Sequence, residues 1–592
     1  MKKNGGSLKE VFEEALNYYN KKDFKTSEIY CYKILSIDPN HFGSMSMLAT
    51  LSAMKGDFAK AKELLSKGIE IEPNNVPAIH NLATAYKELG KFDEAINYYN
   101  KVLKIVPQHI NSHYNLGLTF YKLNDLQKAK SYFKRTVEIQ KNYALAFFWL
   151  ANVHADLKEY NDAVSNYQKA IEINSNLPNA HNNLGLVFSA LNDHQNAINS
   201  YKNAVKLKDS HAGAHHNLAL TLKNLGKFNE AIKSHEMALK YEPDNLAHIY
   251  YLSELKKDIL DLDLKKKILK ILEDKVDQRR RNTNEVFGNY LLAMYERKSK
   301  NYEKELKHLI KGHHNYFQIR KRRFELGVKY SFDEVIQISK GAKTKNNDSK
   351  YDKIKPIFII GVPRCGSTLV EKIIGSGKKI IPIGEETTVL ENYINKKVLE
   401  KQSLNLGDVK IVREELNEIF KTKNLLSKKS DYIFTDKSLN NFFYLKLING
   451  IYPNAKIINC NRNPLASIMS ILQNNLTELA WTHDIKNIFK YFNNYFNIIE
   501  NFNNSNPNKI YNLEIEKLSN YPEVESKKLM KYCELPWDKN CLEFYKRKDL
   551  ISKTASNIQI RKGIFKHSLE KYLPYKNLLS KYGDKYSWFE TT

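Results

Sequence analysis

The residues best able to do chemistry in this chain surround one short loop. Positions 356–376 read PIFIIGVPRCGSTLVEKIIGS. Ile357 to Ile360 have the pattern of a short buried strand, Gly361 to Ser367 that of a turn, and Thr368 to Ile374 helical spacing. A strand, a glycine-containing loop and a helix N-terminus together make an anion cradle. The N–H groups of Gly366, Ser367 and Thr368 converge on a phosphate, helped by the helix dipole. Glycines 361 and 366 are spaced as in an ATP-binding loop, but Ser367 stands where that loop carries its lysine, and Arg364 lies inside the loop instead. Without the lysine and an acidic metal ligand the loop suits a shorter, metal-free phospho-ligand better than ATP. A thiolate phosphatase built on Cys365 would need an arginine six positions on, and that residue is Glu371.

Elements must hold such a loop, and the chain before it is organised on another principle. Alanine recurs every 34 residues at Ala61, Ala95, Ala129, Ala163, Ala197 and Ala231. A second small position, Ala49, Ala83, Gly117, Ala151, Gly185 and Ala219, keeps the same frame. So does a mostly aromatic one, Leu65, Tyr99, Phe133, Tyr167, Tyr201 and His235, and Pro39, Pro73, Pro107 and Pro243 close repeats on it. The period predicts helix pairs in which small residues let two helices approach and the aromatic fills the space beside them. Gly90 and Gly226 fall between helices, where positive φ is useful. The segment NLATAYKELGKFDEAINYYNKVLKIVP resembles the tetratricopeptide consensus. Such an array offers a groove to an extended protein or peptide partner; dimerisation or spacing is the plainer alternative.

The expected division is a solenoid of about seven repeats over residues 1–243, a helical extension with a degenerate repeat over 244–340, a polar linker at 341–355, and an α/β domain over 356–592. The 592 residues include 42% hydrophobic and 11% aromatic ones, which suits packed cores. No apolar run reaches the roughly 18 residues of a membrane span, and the MKKNGGSLKEVFEEAL start has no apolar stretch behind its basic end, so no signal peptide is expected. Cys31, Cys365, Cys460, Cys533 and Cys541 lack metal-type spacing. Free thiols in the cytoplasm are expected. The formal charge of +27 arises from 93 Lys+Arg against 66 Asp+Glu spread throughout the chain, with no nucleic-acid-binding pattern beside the basic runs. His215-His216 and His313-His314 are adjacent pairs facing different helix sides, and no metal site is read.

Residues 356 to about 585 carry, in order, a set of motifs that together resemble the sulfotransferases. GVPRCGSTLVEKII resembles their 5′-phosphosulfate loop, which implies donor binding by Arg364, Cys365, Gly366, Ser367 and Thr368. NAKIINCNRNPLASIMSILQN resembles their 3′-phosphate motif. There a strand, Lys456 to Cys460, delivers Arg462, Pro464 opens a helix, and Ser470 follows on it. ASNIQIRKGIFKHS contains Arg561, Lys562 and Gly563, matching an element that wraps the same phosphate. ELPWD and the preceding YPEVESKKLMKY resemble the segment between these motifs. IPIGEETTVL is similar to a stretch of the protein-tyrosine sulfotransferases and implies Glu386 as general base. FTDKSLNNF implies Lys437 as the catalytic lysine, neutralising charge on the leaving oxygen. Arg364 would also bind the transferring sulfuryl group.

The resemblance thus implies an all-α tetratricopeptide solenoid followed by an α/β, P-loop-like sulfotransferase domain. It would move a sulfuryl group from 3′-phosphoadenosine 5′-phosphosulfate to a hydroxyl, that of a protein or peptide tyrosine presented by the solenoid, without a metal. A glycan or small-molecule acceptor, and an inactive scaffold, are the alternatives. The pattern departs from the family's at Ile515, where a tyrosine is usual and Tyr511 lies four residues earlier, and at Cys365 and Ser367. It departs again at Asn474, where tyrosine enzymes can carry an arginine.

Overall fold

The structure is a computed structural model, and it describes residues 7–274, 278–345, 354–401, 403–426, 432–547, 561, 563–564 and 570–590. Two compact units divide it, Met1–Thr221 and Leu222–Thr592.

The first unit is made of helix pairs, beginning with Leu8–Asn20 and Phe24–Ile37 and running in frame to Pro178–Ala190 and His194–Leu207. The repeated residues are its core. Ala61, Ala95, Ala129, Ala163 and Ala197 are at most 1% exposed, and Leu65, Tyr99, Phe133, Tyr167 and Tyr201 at most 3%. Where the second small position is glycine the ring lies closest: a Cβ on Gly117 would stand 2.7 Å from the Phe133 ring, and one on Gly185 2.6 Å from that of Tyr201. The turns repeat as strictly as the cores. Lys22, Gly56, Gly90, Asn124, Lys158 and Asn192 all have positive φ, each between the two helices of its pair. One left-handed residue there ends the first helix and reverses the chain.

In the second unit the helices continue from Phe228–Tyr241 through the pair Gln278–Lys298 and Tyr302–Ile319. Their core is continuous with that of a parallel α/β domain. Buried Glu305 marks the seam: it accepts from Arg297 Nε (2.6 Å), Gln473 Nε2 (3.1 Å) and the Tyr575 hydroxyl (2.5 Å). The stretch that reads as a linker contains a short strand, β1 (Lys343–Lys345), which pairs in parallel with β3 (Asn405–Asp408).

The main sheet has four parallel strands, β2 (Ile357–Ile360), β4 (Thr435–Asp436), β5 (Lys456–Asn461) and β6 (Ile510–Glu514), in the order β4-β2-β5-β6. Every residue of β2 is buried, as its unbroken Ile-Phe-Ile-Ile run requires of a central parallel strand. In such sheets ligands bind beyond the carboxyl ends of the strands, and the loop after β2 lies there.

Candidate active site

Beyond β2 the chain turns sharply and enters the helix Ser367–Gly375. Arg364 (φ +68°) and Gly366 (φ +99°) are both left-handed, which folds the loop back on itself ahead of the helix N-terminus. Gly361 is required by contact: a Cβ there would meet Cys365 Sγ at 2.4 Å and the Cys460 carbonyl at 3.2 Å. Ile515, at the usual tyrosine position, is fully buried and lies 3.0 Å from where a Gly366 Cβ would be, so it packs against the loop. Tyr511 stacks on Tyr532 (4.8 Å). Cys365 and Cys460 are buried free thiols. The interaction with Cys460 draws the Cys365 thiol below its ordinary value, and burial pushes Cys460 above its own.

Strand β5 delivers Arg462 to the same place. Asn463 caps the next helix, Pro464–Leu472, accepting from Ala466 N–H (3.2 Å), and Pro464 occupies its first turn. Arg462 Nη1 donates to the Arg364 carbonyl at 2.7 Å, and its guanidinium lies 6.0 Å from the centre of the Tyr572 ring. Arg364 Nε donates to Ser470 Oγ at 3.0 Å. Burial, and then the charge of Arg462, lower the Arg364 guanidinium to about 10. Arg462 Nε is itself buried without a hydrogen-bond acceptor. Two guanidiniums that repel one another and a buried N–H without an acceptor suit an anion, so a phosphate group fits these residues. Asn474 donates to the Ser470 carbonyl at 2.7 Å, closing the helix behind it. Arg561 donates from Nη2 to the Asn224 carbonyl at 3.1 Å and lies over Gly226. Gly563 has φ +91°, and Lys562 lies outside the described residues.

The second half of the site is a parallel zipper between two distant segments. Thr435 N–H donates to the Pro382 carbonyl (3.1 Å), Gly384 N–H to the Thr435 carbonyl (3.0 Å), and Lys437 N–H to the Glu385 carbonyl (2.8 Å). These bonds set Glu386 beside Lys437, whose Nζ donates to Glu386 Oε1 at 3.1 Å. The Lys437 side chain is 2% exposed and that of Glu386 57%, so an enclosed ammonium meets a carboxylate open to solvent. Burial alone would depress Lys437; the carboxylates of Glu386, Glu371 and Glu385 outweigh it and raise the ammonium above its ordinary value. Asp436 locks the turn, accepting from Thr387 Oγ1 (2.6 Å), Ser438 N–H (2.8 Å) and Asn441 Nδ2 (3.0 Å).

Sequence reasoning had singled out neither Lys372 nor Glu385, whose side chains pair at 3.0 Å, nor Glu371 as a site residue. Glu371 Oε1 accepts from Glu385 N–H (3.0 Å) and Thr435 Oγ1 (2.8 Å). Burial raises its carboxyl above the ordinary range. Two consecutive charged residues inside an otherwise apolar helical run, VEKII, were the available signal. Among the described residues one group, His154, Glu159 and Asp162, has the spacing to hold a metal ion. There the Lys130 ammonium already stands 2.6 Å from Glu159.

The site thus lies in a parallel α/β domain, with an arginine-bearing loop and a carboxylate–lysine pair at its strand ends. Residues 356–539 match the sulfotransferase family, and tetratricopeptide-repeat families match 75–142, 152–192, 178–211 and 212–245. The chain therefore joins a tetratricopeptide solenoid to a domain similar to the sulfotransferases. An uncharacterized protein of Aquifex aeolicus (strain VF5) is 31% identical over 315 residues, covering 50% of this chain and 40% of that protein. Protein-tyrosine sulfotransferase A of Caenorhabditis elegans is 25% identical over 264 residues, covering 41% of this chain and 65% of that protein. The matches thus span less than two thirds of either relative's length. Among solved structures, MamA is 28% identical over 27% of this chain and 95% of its own, with a TM-score of 0.27.

Proposed function

We propose that the chain is a sulfotransferase that uses 3′-phosphoadenosine 5′-phosphosulfate as donor and the hydroxyl of a protein or peptide tyrosine as acceptor. The observation that carries this reading is the convergence, at the carboxyl ends of three adjacent strands, of Arg364, of Arg462 with Ser470, and of Lys437 with Glu386.

The donor supplies an activated sulfuryl group. Arg364 and the N–H groups of Cys365, Gly366, Ser367 and Thr368 hold its 5′ side, with Arg364 also touching the transferring oxygens. Arg462, Ser470, Lys562 and Gly563 hold its 3′-phosphate, whereas the Arg561 guanidinium, expected there too, is engaged by the Asn224 carbonyl. A phenol with a pKa of about 10 is scarcely ionised at neutral pH, so Glu386 takes its proton as the new oxygen–sulfur bond forms. Lys437 places its ammonium on the oxygen that keeps the electrons of the breaking bond. None of these roles needs a metal.

In this reading residues 1–243 present the acceptor, 244–340 and 341–355 connect, and 356–592 perform the transfer. Five buried free thiols support a reducing, cytoplasmic setting, and no described helix is long and apolar enough to cross a membrane. The experiment is Glu386→Gln, which keeps shape and removes basicity. Turnover falls about 10²–10⁴-fold while adenosine 3′,5′-bisphosphate still binds; unchanged turnover places the base elsewhere. If the intact chain ignores every phenol yet sulfates a saccharide hydroxyl, the acceptor is a glycan. If it sulfates nothing, the domain is an inactive scaffold.

A further inference from the structure

Beneath the Glu386–Lys437 pair lies a second ion pair that the mechanism above does not use. Lys372 is 1% exposed, on the helix that follows the phosphate loop, and its Nζ stands 3.0 Å from Glu385 Oε1. Glu385 is a left-handed residue, φ +48°. Its N–H is held by Glu371, its carbonyl by Lys437 N–H, and its carboxylate by Lys372. That backbone conformation divides the two consecutive glutamates, Glu385 to Lys372 and Glu386 to Lys437. A non-glycine residue keeps such a conformation only where its surroundings over-determine it, and here three partners do.

The charges explain why the division matters. Glu371, Glu385 and Glu386 face two ammoniums, Lys372 and Lys437; Glu371 and both lysines are buried, the Glu385 side chain is 21% exposed and that of Glu386 57%. A partly enclosed carboxylate pairs with a cation within its reach. With Lys372 present, Glu385 is neutralised from below. Without it, Glu385 is left to the ammonium of Lys437, which already feels its charge and whose N–H donates to its carbonyl.

We propose that Lys372 is a positioning residue for the transfer reaction: by holding the Glu385 carboxylate it reserves Lys437 for Glu386 and for the leaving oxygen. The proposal rests on the sulfotransferase reading and adds to it a residue that touches neither substrate. Its chemistry is specific, because what must be conserved is the charge balance between Lys372 and Glu385 rather than the lysine itself.

The test compares Lys372→Met with the double variant Lys372→Met/Glu385→Gln in the full chain. In the single variant kcat falls about 10- to 100-fold, the scale of a lost charged hydrogen bond, while adenosine 3′,5′-bisphosphate binds within about twofold of the parent. The acid limb of its pH–rate profile moves to higher pH, because an uncompensated carboxylate beside Glu386 opposes ionisation there. The double variant removes both charges, and kcat and the acid limb return close to the parent's. A merely structural lysine predicts neither the displaced limb nor its return. Wild-type kcat in Lys372→Met overturns the proposal, as does a double variant no faster than the single one, which makes Glu385 itself indispensable. Should Lys372→Met not fold, the double variant decides alone: folded and active supports the proposal, inactive or unfolded overturns it. A wild-type chain that transfers sulfuryl to no acceptor overturns the functional reading and this inference with it, whereas an active wild type isolates the inference.

Discussion

Gly384→Ala tests whether the zipper between the two distant segments, and not only the residues it carries, makes the site. A Cβ at this position would stand 2.3 Å from the Thr435 carbonyl oxygen and 3.0 Å from Thr387 Cγ2. Carbon–oxygen contacts relax at about 3.3–3.6 Å, so the segments must part by about 1 Å. Backbone strain does not enter, since Gly384 is not among the positive-φ glycines. Parting stretches the Gly384–Thr435 bond of 3.0 Å and the Lys437–Glu385 bond of 2.8 Å. At about 0.5–1.5 kcal/mol each, the stability loss is about 1–3 kcal/mol. A misplacement of about 1 Å between reacting groups costs up to about 10²-fold in rate. Folded Gly384→Ala should therefore lose about 10–100-fold in kcat while binding adenosine 3′,5′-bisphosphate normally, because the loop after β2 is untouched. Turnover with saturating donor, beside calorimetry with the bisphosphate, measures both. A folded variant with parental kcat refutes the zipper argument; equal losses in binding and turnover show that the damage spread to the phosphate loop.

Arg462→Ala should weaken bisphosphate binding by about 1.5–3 kcal/mol, read by the same calorimetry. Removing residues 1–221, the first compact unit, should leave bisphosphate binding intact and impair sulfation of a long acidic tyrosine peptide far more than that of a small phenol. Equal handling of both by the truncated protein means the solenoid does not present the acceptor. Lys158 holds a turn position with φ +62° that is glycine at Gly56 and Gly90. Lys158→Gly should stabilise the solenoid by about 0.5–1 kcal/mol, read from denaturant midpoints; a loss would mean the lysine side chain contributes more than its backbone costs.

The repeat frame was readable because its residues act locally: each alanine, aromatic and turn position meets partners within its own or the next repeat. The β2 loop was readable for the same reason, since strand, turn and helix are consecutive. What could not be read is what joins distant segments. β4 is only Thr435–Asp436, too short to show a period, and it gains its place by pairing with β2 and with Ile383. Lys437 taken alone resembles a solvated lysine and is in fact 3% exposed. Ile515 fills space beneath Gly366, a contact across 149 positions of the frame that no spacing rule predicts. The Lys372–Glu385 pair was hidden because Lys372 sits where a helix facing the core should be apolar. Arg561 was expected at the 3′-phosphate from its motif, and its guanidinium lies over the Gly226 turn, a partner that sequence order gave no reason to consider.

Metal-independent sulfuryl transfer from an adenosine phosphosulfate can be followed by its label. The full chain is incubated, with chelator and without magnesium, with sulfur-labelled 3′-phosphoadenosine 5′-phosphosulfate and a panel of tyrosine peptides, phenols and saccharides. Label should appear on an acceptor oxygen in step with release of adenosine 3′,5′-bisphosphate, and Lys437→Ala should abolish it. A folded chain that labels no acceptor, or that binds ATP as tightly as the bisphosphate and only with magnesium, contradicts such transfer.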